Sequence, residues 1–235
     1  MKRLILVLLL LLPVSALIAG DLAVLENLGY SADGRYFMFG QHVLITDAGQ
    51  AYAEIAVVDV ARNDFVPGGW KKSGWDLRML PNLVSRGALY ELLSDHTDLK
   101  DRYGINHLEQ GRLLYTRSNG DDTEVENTET EDSSSVLEFR DFERGREYEL
   151  VLNQQNAEGE EAAASFSIDL TVTDASGAVS TYSVGNPDRR RAGVSAYRIV
   201  RVWIGPEGRS LVIAVAKEAP DLSVRYMVET VVLDG

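Results

Sequence analysis

Ser165-Phe166-Ser167-Ile168-Asp169-Leu170-Thr171-Val172-Thr173 decides the architecture, because apolar and polar residues alternate along it without a slip. Successive side chains of a strand point to opposite faces, so Phe166, Ile168, Leu170 and Val172 share one face, and Ser167, Asp169, Thr171 and Thr173 the other. A strand with one apolar and one polar face belongs to an antiparallel sheet laid over a core. Asp174, Ala175, Ser176 and Gly177 then turn the chain. Ala178 to Val184 reads as the hairpin partner, and Tyr148 to Leu152 as a nearby strand.

The same β logic holds toward both ends of the chain. Asn27 to Gly40 places two apolar strands about Asp33-Gly34, whose glycine supplies the positive φ of a tight turn. Tyr197 to Ile204, a turn at Gly205, Pro206, Glu207 and Gly208, and the apolar run Arg209 to Ala216 repeat that plan. Ala53 to Val60 carries the unbroken run Ile55, Ala56, Val57, Val58, which predicts a strand buried on both faces. Asn63, Asp64, Pro67, Gly68 and Gly69 are expected to break it.

One segment has a helical period. Over Leu77 to Tyr103, Leu83, Val84, Leu89, Leu92 and Leu93 recur at spacings of three and four. They predict a helical insertion with Pro81 in a first turn and Tyr103-Gly104 at the end. Ser118 to Ser135 holds seven acids among Asn, Thr and Ser, with Val125 the only large apolar residue. So little apolar surface does not offset the entropy of ordering, and a flexible acidic loop is expected over 118–135. It would divide an N-terminal half, 21–117, from a C-terminal half, 136–235. Gln154 to Glu161 reads as a second acidic loop.

The first twenty residues read as an export signal. Lys2 and Arg3 precede the apolar run Leu4 to Leu12, then come Pro13 and small residues ending at Gly20. A retained anchor needs about twenty apolar residues, and Leu4 to Ala19 falls short. Cleavage after Ala19 or Gly20 is expected, with no stable membrane insertion afterwards and a secreted or periplasmic location. The chain has no cysteine, so neither lipid attachment nor a disulfide framework is available to it. Its net charge of -13 becomes -15 when Lys2 and Arg3 leave with the leader. That sign opposes nucleic acid, whose backbone is bound by Lys and Arg.

Two resemblances accompany these readings. Ser31 to Gly40 and Gly205 to Ala216 look like the repeats of TolB-type, WD40-like β-propellers, in which an Asp-Gly turn precedes an apolar strand; Glu207 stands where the second unit's Asp would be. More extensively, Leu28 to Gln41, Tyr52 to Gly69 and Arg225 to Leu233 resemble the predicted secreted proteins grouped as domain of unknown function 2259. The resemblance is carried by Tyr36 to Gln41 and Val57 to Val66. It implies export and brings no assigned activity, catalytic residue or cofactor.

Motifs that carry chemistry are few in this chain. Lys72-Ser73-Gly74 lacks the glycine frame of a phosphate loop, and Gly193 to Tyr197 lacks the closing glycine of a nucleophile elbow. His42, His96 and His107 have no zinc spacing, and each reads as a packed or solvated histidine. Glu54, Asp59 and Asp64 are the best carboxylate set, although Asp59 suits a turn amide better than acid–base work. Asp121 and Asp122 lack the spacing of a calcium loop. No catalytic residue, metal or cofactor is assigned.

The candidate partner-binding residues are therefore Arg189, Arg190 and Arg191, a cationic run in an acidic chain, and Trp70 and Trp75, a pair beside Gly69 and Gly74. The expectation is a mainly β (β-rich α+β) exported protein. It has antiparallel sheets, propeller-blade-like hairpins near both ends and a short helical insertion. Its expected role is non-catalytic binding or scaffolding of a protein or envelope component in a bacterial-type cell envelope. The alternatives are an envelope hydrolase with a carboxylate-based site and a module that adds a strand to a partner's sheet.

Overall fold

The computed structural model describes residues 20–77, 84–117, 132–157 and 162–234. Among them, thirteen strands form three antiparallel sheets stacked face to face, with two helices on the outside. The strands are β1 (Val24–Ser31), β2 (Tyr36–Ile45), β3 (Gln50–Asp59), β4 (Asp64–Asp76), β5 (Ile105–Asn106), β6 (Arg112–Thr116), β7 (Asp132–Asp141), β8 (Arg146–Ala157), β9 (Ala163–Thr173), β10 (Val179–Ala192), β11 (Ala196–Ile204), β12 (Ser210–Glu218) and β13 (Val224–Val232). The helices are α1 (Arg86–Asp95) and α2 (Thr97–Arg102). The outer sheet runs β4-β3-β2-β1-β5, the middle sheet β13-β12-β11-β6 and the third β10-β9-β8-β7.

Strand β12 lies at the centre of the stack. Leu211, Ile213 and Val215 face the third sheet, meeting Phe166, Ile168 and Leu170 of β9, while Val212 and Ala214 face Phe37, Phe39, Ala56 and Val58 of the outer sheet. Each fully buried aliphatic or aromatic side chain contributes about 1.5–3 kcal/mol, which is why a middle sheet apolar on both faces holds three layers together. The alternation of Ser165 to Thr173 is realised in β9, whose Phe166, Ile168, Leu170 and Val172 are all buried. It pairs with β8 and β10 as expected.

The predicted two-sided burial of β3 also holds. Ile55 and Val57 point toward the helices, and Ala56 and Val58 toward the middle sheet. Leu89, Leu92 and Leu99 close the outer core, and the helical insertion ends at Tyr103 and Gly104, the latter with φ +61°. Pro81 and Leu83 lie outside the described residues, and Val84 is exposed rather than part of the stripe.

Several local expectations change. Asn63, with φ +50°, turns the chain, but Pro67, Gly68 and Gly69 fall inside β4, absorbed by a bulge between the pairs Ala56/Trp70 and Val58/Phe65. Ser133, Ser134 and Ser135, read as loop, belong to β7 and pair with Gln154, Asn153 and Leu152, themselves partly read as loop. An edge strand takes its order from the backbone ladder of its neighbour, so its composition need not be apolar. The remaining acidic stretches, 118–131 and 158–161, lie outside the described residues, as does the leader before Gly20.

The two turn-and-strand units are the β1–β2 and β11–β12 hairpins, in facing sheets rather than in radial blades. A methyl on Gly34 would lie 3.8 Å from Pro206, so their turns sit side by side. Strand β6, from the N-terminal part of the chain, extends the middle sheet along β11, and the segment before β1 bridges to Val224.

Candidate functional site

Strand β2 directs Met38, Gly40 and His42 toward the helices, and His42 ends up beneath the start of α1. The residue is 3% exposed. Its Nδ1 lies 2.7 Å from Ser85 Oγ, and its Nε2 lies 3.5 Å from Glu26 Oε1 on the neighbouring strand β1. The Arg86 guanidinium holds the same Glu26 oxygen at 2.9 Å. Burial pushes the His42 pKa below the usual histidine value, against the opposing pull of Glu26. That shift favours the neutral ring. The partners assign its proton to Nε2, facing Glu26, and leave the Nδ1 lone pair for the Ser85 hydroxyl.

Ser85 occupies the N-cap of α1, where a serine oxygen usually accepts a first-turn amide. Here it makes no capping bond, and its hydroxyl is turned to His42 instead. Above the pair opens a cleft of about 480 Å³ lined by Leu22, Val24, His42, Leu44, Val84, Ser85 and Arg86. Leu22, Val24 and Val84 are 66%, 42% and 74% exposed, an apolar rim facing water. In the sequence His42 reads as a packed or solvated histidine, and Ser85 carries no signal. With 43 residues separating the two, no local spacing marks them.

The arginine run belongs to a strand. It lies in β10, where Asn186 pairs with Phe166 and Arg191 with Ala164, so residues 187–190 bulge out of the ladder. Arg189 and Arg190 are exposed. Arg191 returns to the sheet, its guanidinium 5.4 Å from the Phe166 ring and 5.8 Å from that of Tyr197, whose hydroxyl it contacts at 3.4 Å. Beside the run, burial pushes the Glu229 carboxyl above the usual glutamate range, opposed by the Asn63 amide at 2.5 Å and by Arg191, Gly185 and Arg189.

The tryptophan pair, Trp70 and Trp75, is split by the strand. Along β4 they occupy opposite faces, pairing with Ala56 and Ala51. Trp75 packs on the helix-side core, whereas Trp70 is half-exposed, stacked 6.2 Å from Phe65, with Lys72 Nζ 4.9 Å from its ring. The three carboxylates also diverge. Glu54 is hydrogen-bonded by Gln41 and Tyr52, Asp59 accepts the Arg62 amide, and Asp64 caps the next amide of its own turn. His107 bonds the Leu28 carbonyl at 2.6 Å, and His96 ends α1. Among the described residues, no three metal-ligating side chains converge.

Residues 38–231 match the family described as predicted secreted protein, domain of unknown function 2259. The chain belongs to this family. The 2259 family supplies the export character without an assigned activity, and among the described residues no helix is long and apolar enough to cross a membrane. No curated protein matches the chain.

Proposed function

We propose that this member of the 2259 family acts by binding or scaffolding in a bacterial-type cell envelope, with the bulge of β10 as its contact face. The carrying observation is the division of labour within the arginine run. Arg191 is packed over Phe166 and Tyr197, and this anchors the bulge from which Arg189 and Arg190 project into water. In a chain of net charge -13, two outward guanidinium groups are a local reversal of sign. Their planar donors suit an anionic partner, taken up through carboxylate or phosphate oxygens. Trp70, with Lys72 over its ring, is a smaller second contact, whereas Trp75 supports the core.

The carboxylate-based hydrolase loses support because Glu54, Asp59 and Asp64 are engaged separately. Strand addition at β4 is disfavoured by Lys71 and Lys72 and by the bulge, features that guard edges. The test is crosslinking in intact cells with the exported protein as bait. Arg189→Glu with Arg190→Glu should abolish capture of the principal partner, and Trp70→Ala should weaken it. An unchanged capture profile for both variants, each folded by circular dichroism, removes the proposal.

A further inference from the structure

The cleft at the start of α1 carries chemistry independent of the β10 face. We propose that Ser85 is a nucleophile activated by His42, and that the apolar rim of the cleft receives the acyl chain of a carboxylic ester. Three observations converge. Ser85 leaves its cap unmade to donate to His42 Nδ1 at 2.7 Å, within reach for proton transfer. His42 Nε2 is buried without a hydrogen bond, facing Glu26 at 3.5 Å, a contact able to tighten as positive charge develops on the ring. Leu22, Val24 and Val84 offer apolar surface to water beside the hydroxyl.

A histidine–serine contact that merely satisfied a buried imidazole would explain the first observation but neither of the others. The order of groups is that of serine hydrolases, carboxylate to imidazole to hydroxyl, with the two ring nitrogens exchanged. In the step, the Ser85 Oγ–H bond breaks, its proton passes to Nδ1, and Oγ bonds to the ester carbonyl carbon. The carbonyl oxygen takes up the negative charge. The first-turn amides of Arg86 and Gly87, which follow Ser85 in the chain, have no acceptor within the helix and would be the donors to that oxygen. The C–O bond to the alcohol then breaks and Nδ1 returns its proton to the leaving oxygen. Water, deprotonated by the same nitrogen, releases the carboxylic acid and restores Ser85.

The experiment treats the purified exported protein with a fluorophosphonate and with p-nitrophenyl acetate, butyrate and octanoate. The expected results are a single adduct mapped to Ser85, hydrolysis that rises with chain length, and for Ser85→Ala no adduct and a loss of about a hundredfold in hydrolysis. His42→Gln should act likewise. Should that variant not fold, Val84→Asp, at an exposed position of the rim, keeps the test open: it should lower the ratio of octanoate to acetate hydrolysis, and an unchanged ratio counts against the proposal. No adduct on Ser85 under conditions that label a reference esterase, or equal hydrolysis by Ser85→Ala, overturns the proposal. Loss of the β10 contact in the crosslinking test leaves this outcome untouched.

Discussion

The packing of α1 on β2 can be tested by adding one methyl group. A Cβ built on Gly40 would lie 2.8 Å from Leu89 Cδ1, 3.1 Å from Leu28 Cδ1 and 3.2 Å from the Glu54 carbonyl oxygen. Two of these are flexible side-chain ends, so Gly40→Ala should displace Leu89 rather than unfold the protein. Overpacking costs about 1–3 kcal/mol, and the entropy gained by replacing glycine offsets about 0.5–1 kcal/mol of it, leaving about 0.5–2 kcal/mol. Leu89→Ala alone removes a side chain that is 1% exposed and should cost about 2–5 kcal/mol through transfer and cavity terms. In the double variant the new methyl occupies space that Leu89 vacated. The double should therefore be about 1–2 kcal/mol more stable than the sum of the singles predicts. Urea unfolding followed by tryptophan fluorescence reads the effect, since Trp203 is buried and Trp75 partly so. Each kcal/mol corresponds to about 2–4 °C in melting temperature for a chain of this size. Additivity within about 0.3 kcal/mol, or a Gly40→Ala variant as stable as the parent, would refute the packing described here.

Three further outcomes follow from the charged groups. Burial pushes the Asp141 carboxyl up, but Arg112 at 2.7 Å and the amides of Arg144 and Glu143 outweigh this and hold it below the usual range. The stability it contributes is present above the ordinary aspartate value of about 3.9 and is lost as pH falls through the lower folded value. Asp141→Asn should cost about 1.5–3 kcal/mol at pH 7 and flatten the acid limb of a stability-against-pH curve. Glu229 has the opposite sign. Its folded pKa is raised, so its contribution is full below about 4.3 and fades as pH climbs through the folded value; Glu229→Gln should remove that decline in thermal melts recorded from acid to neutral pH. His42, with a depressed folded pKa, contributes stability above about 6.5 that is lost on acidification, and His42→Gln should erase this component of the same curve.

How much of this was legible in the chain differs from element to element. The period of Ser165 to Thr173 and the run at Ile55 to Val58 gave strands and their faces, because side-chain alternation is a property of the extended backbone alone. Asp33-Gly34 marked its hairpin because positive φ favours glycine, here at φ +69°. Trp70 and Trp75 read as a pair because each stands beside a glycine, Gly69 and Gly74, a few residues apart. Once β4 is a regular strand from Trp70 onward, an odd spacing sends the two rings to opposite faces.

The sequence by itself determined the antiparallel β character, the main hairpins, the leucine stripe of the helical insertion and the acidic balance. These follow from short-range torsional preferences and from periodicity along a few residues. Only the tertiary structure decided that β12 would be covered on both faces, that Arg191 would turn inward while Arg189 and Arg190 face water, and that His42 would meet Ser85. Those contacts join residues far apart in the chain, and they are selected by the common requirement to bury apolar faces while giving most enclosed polar groups a partner.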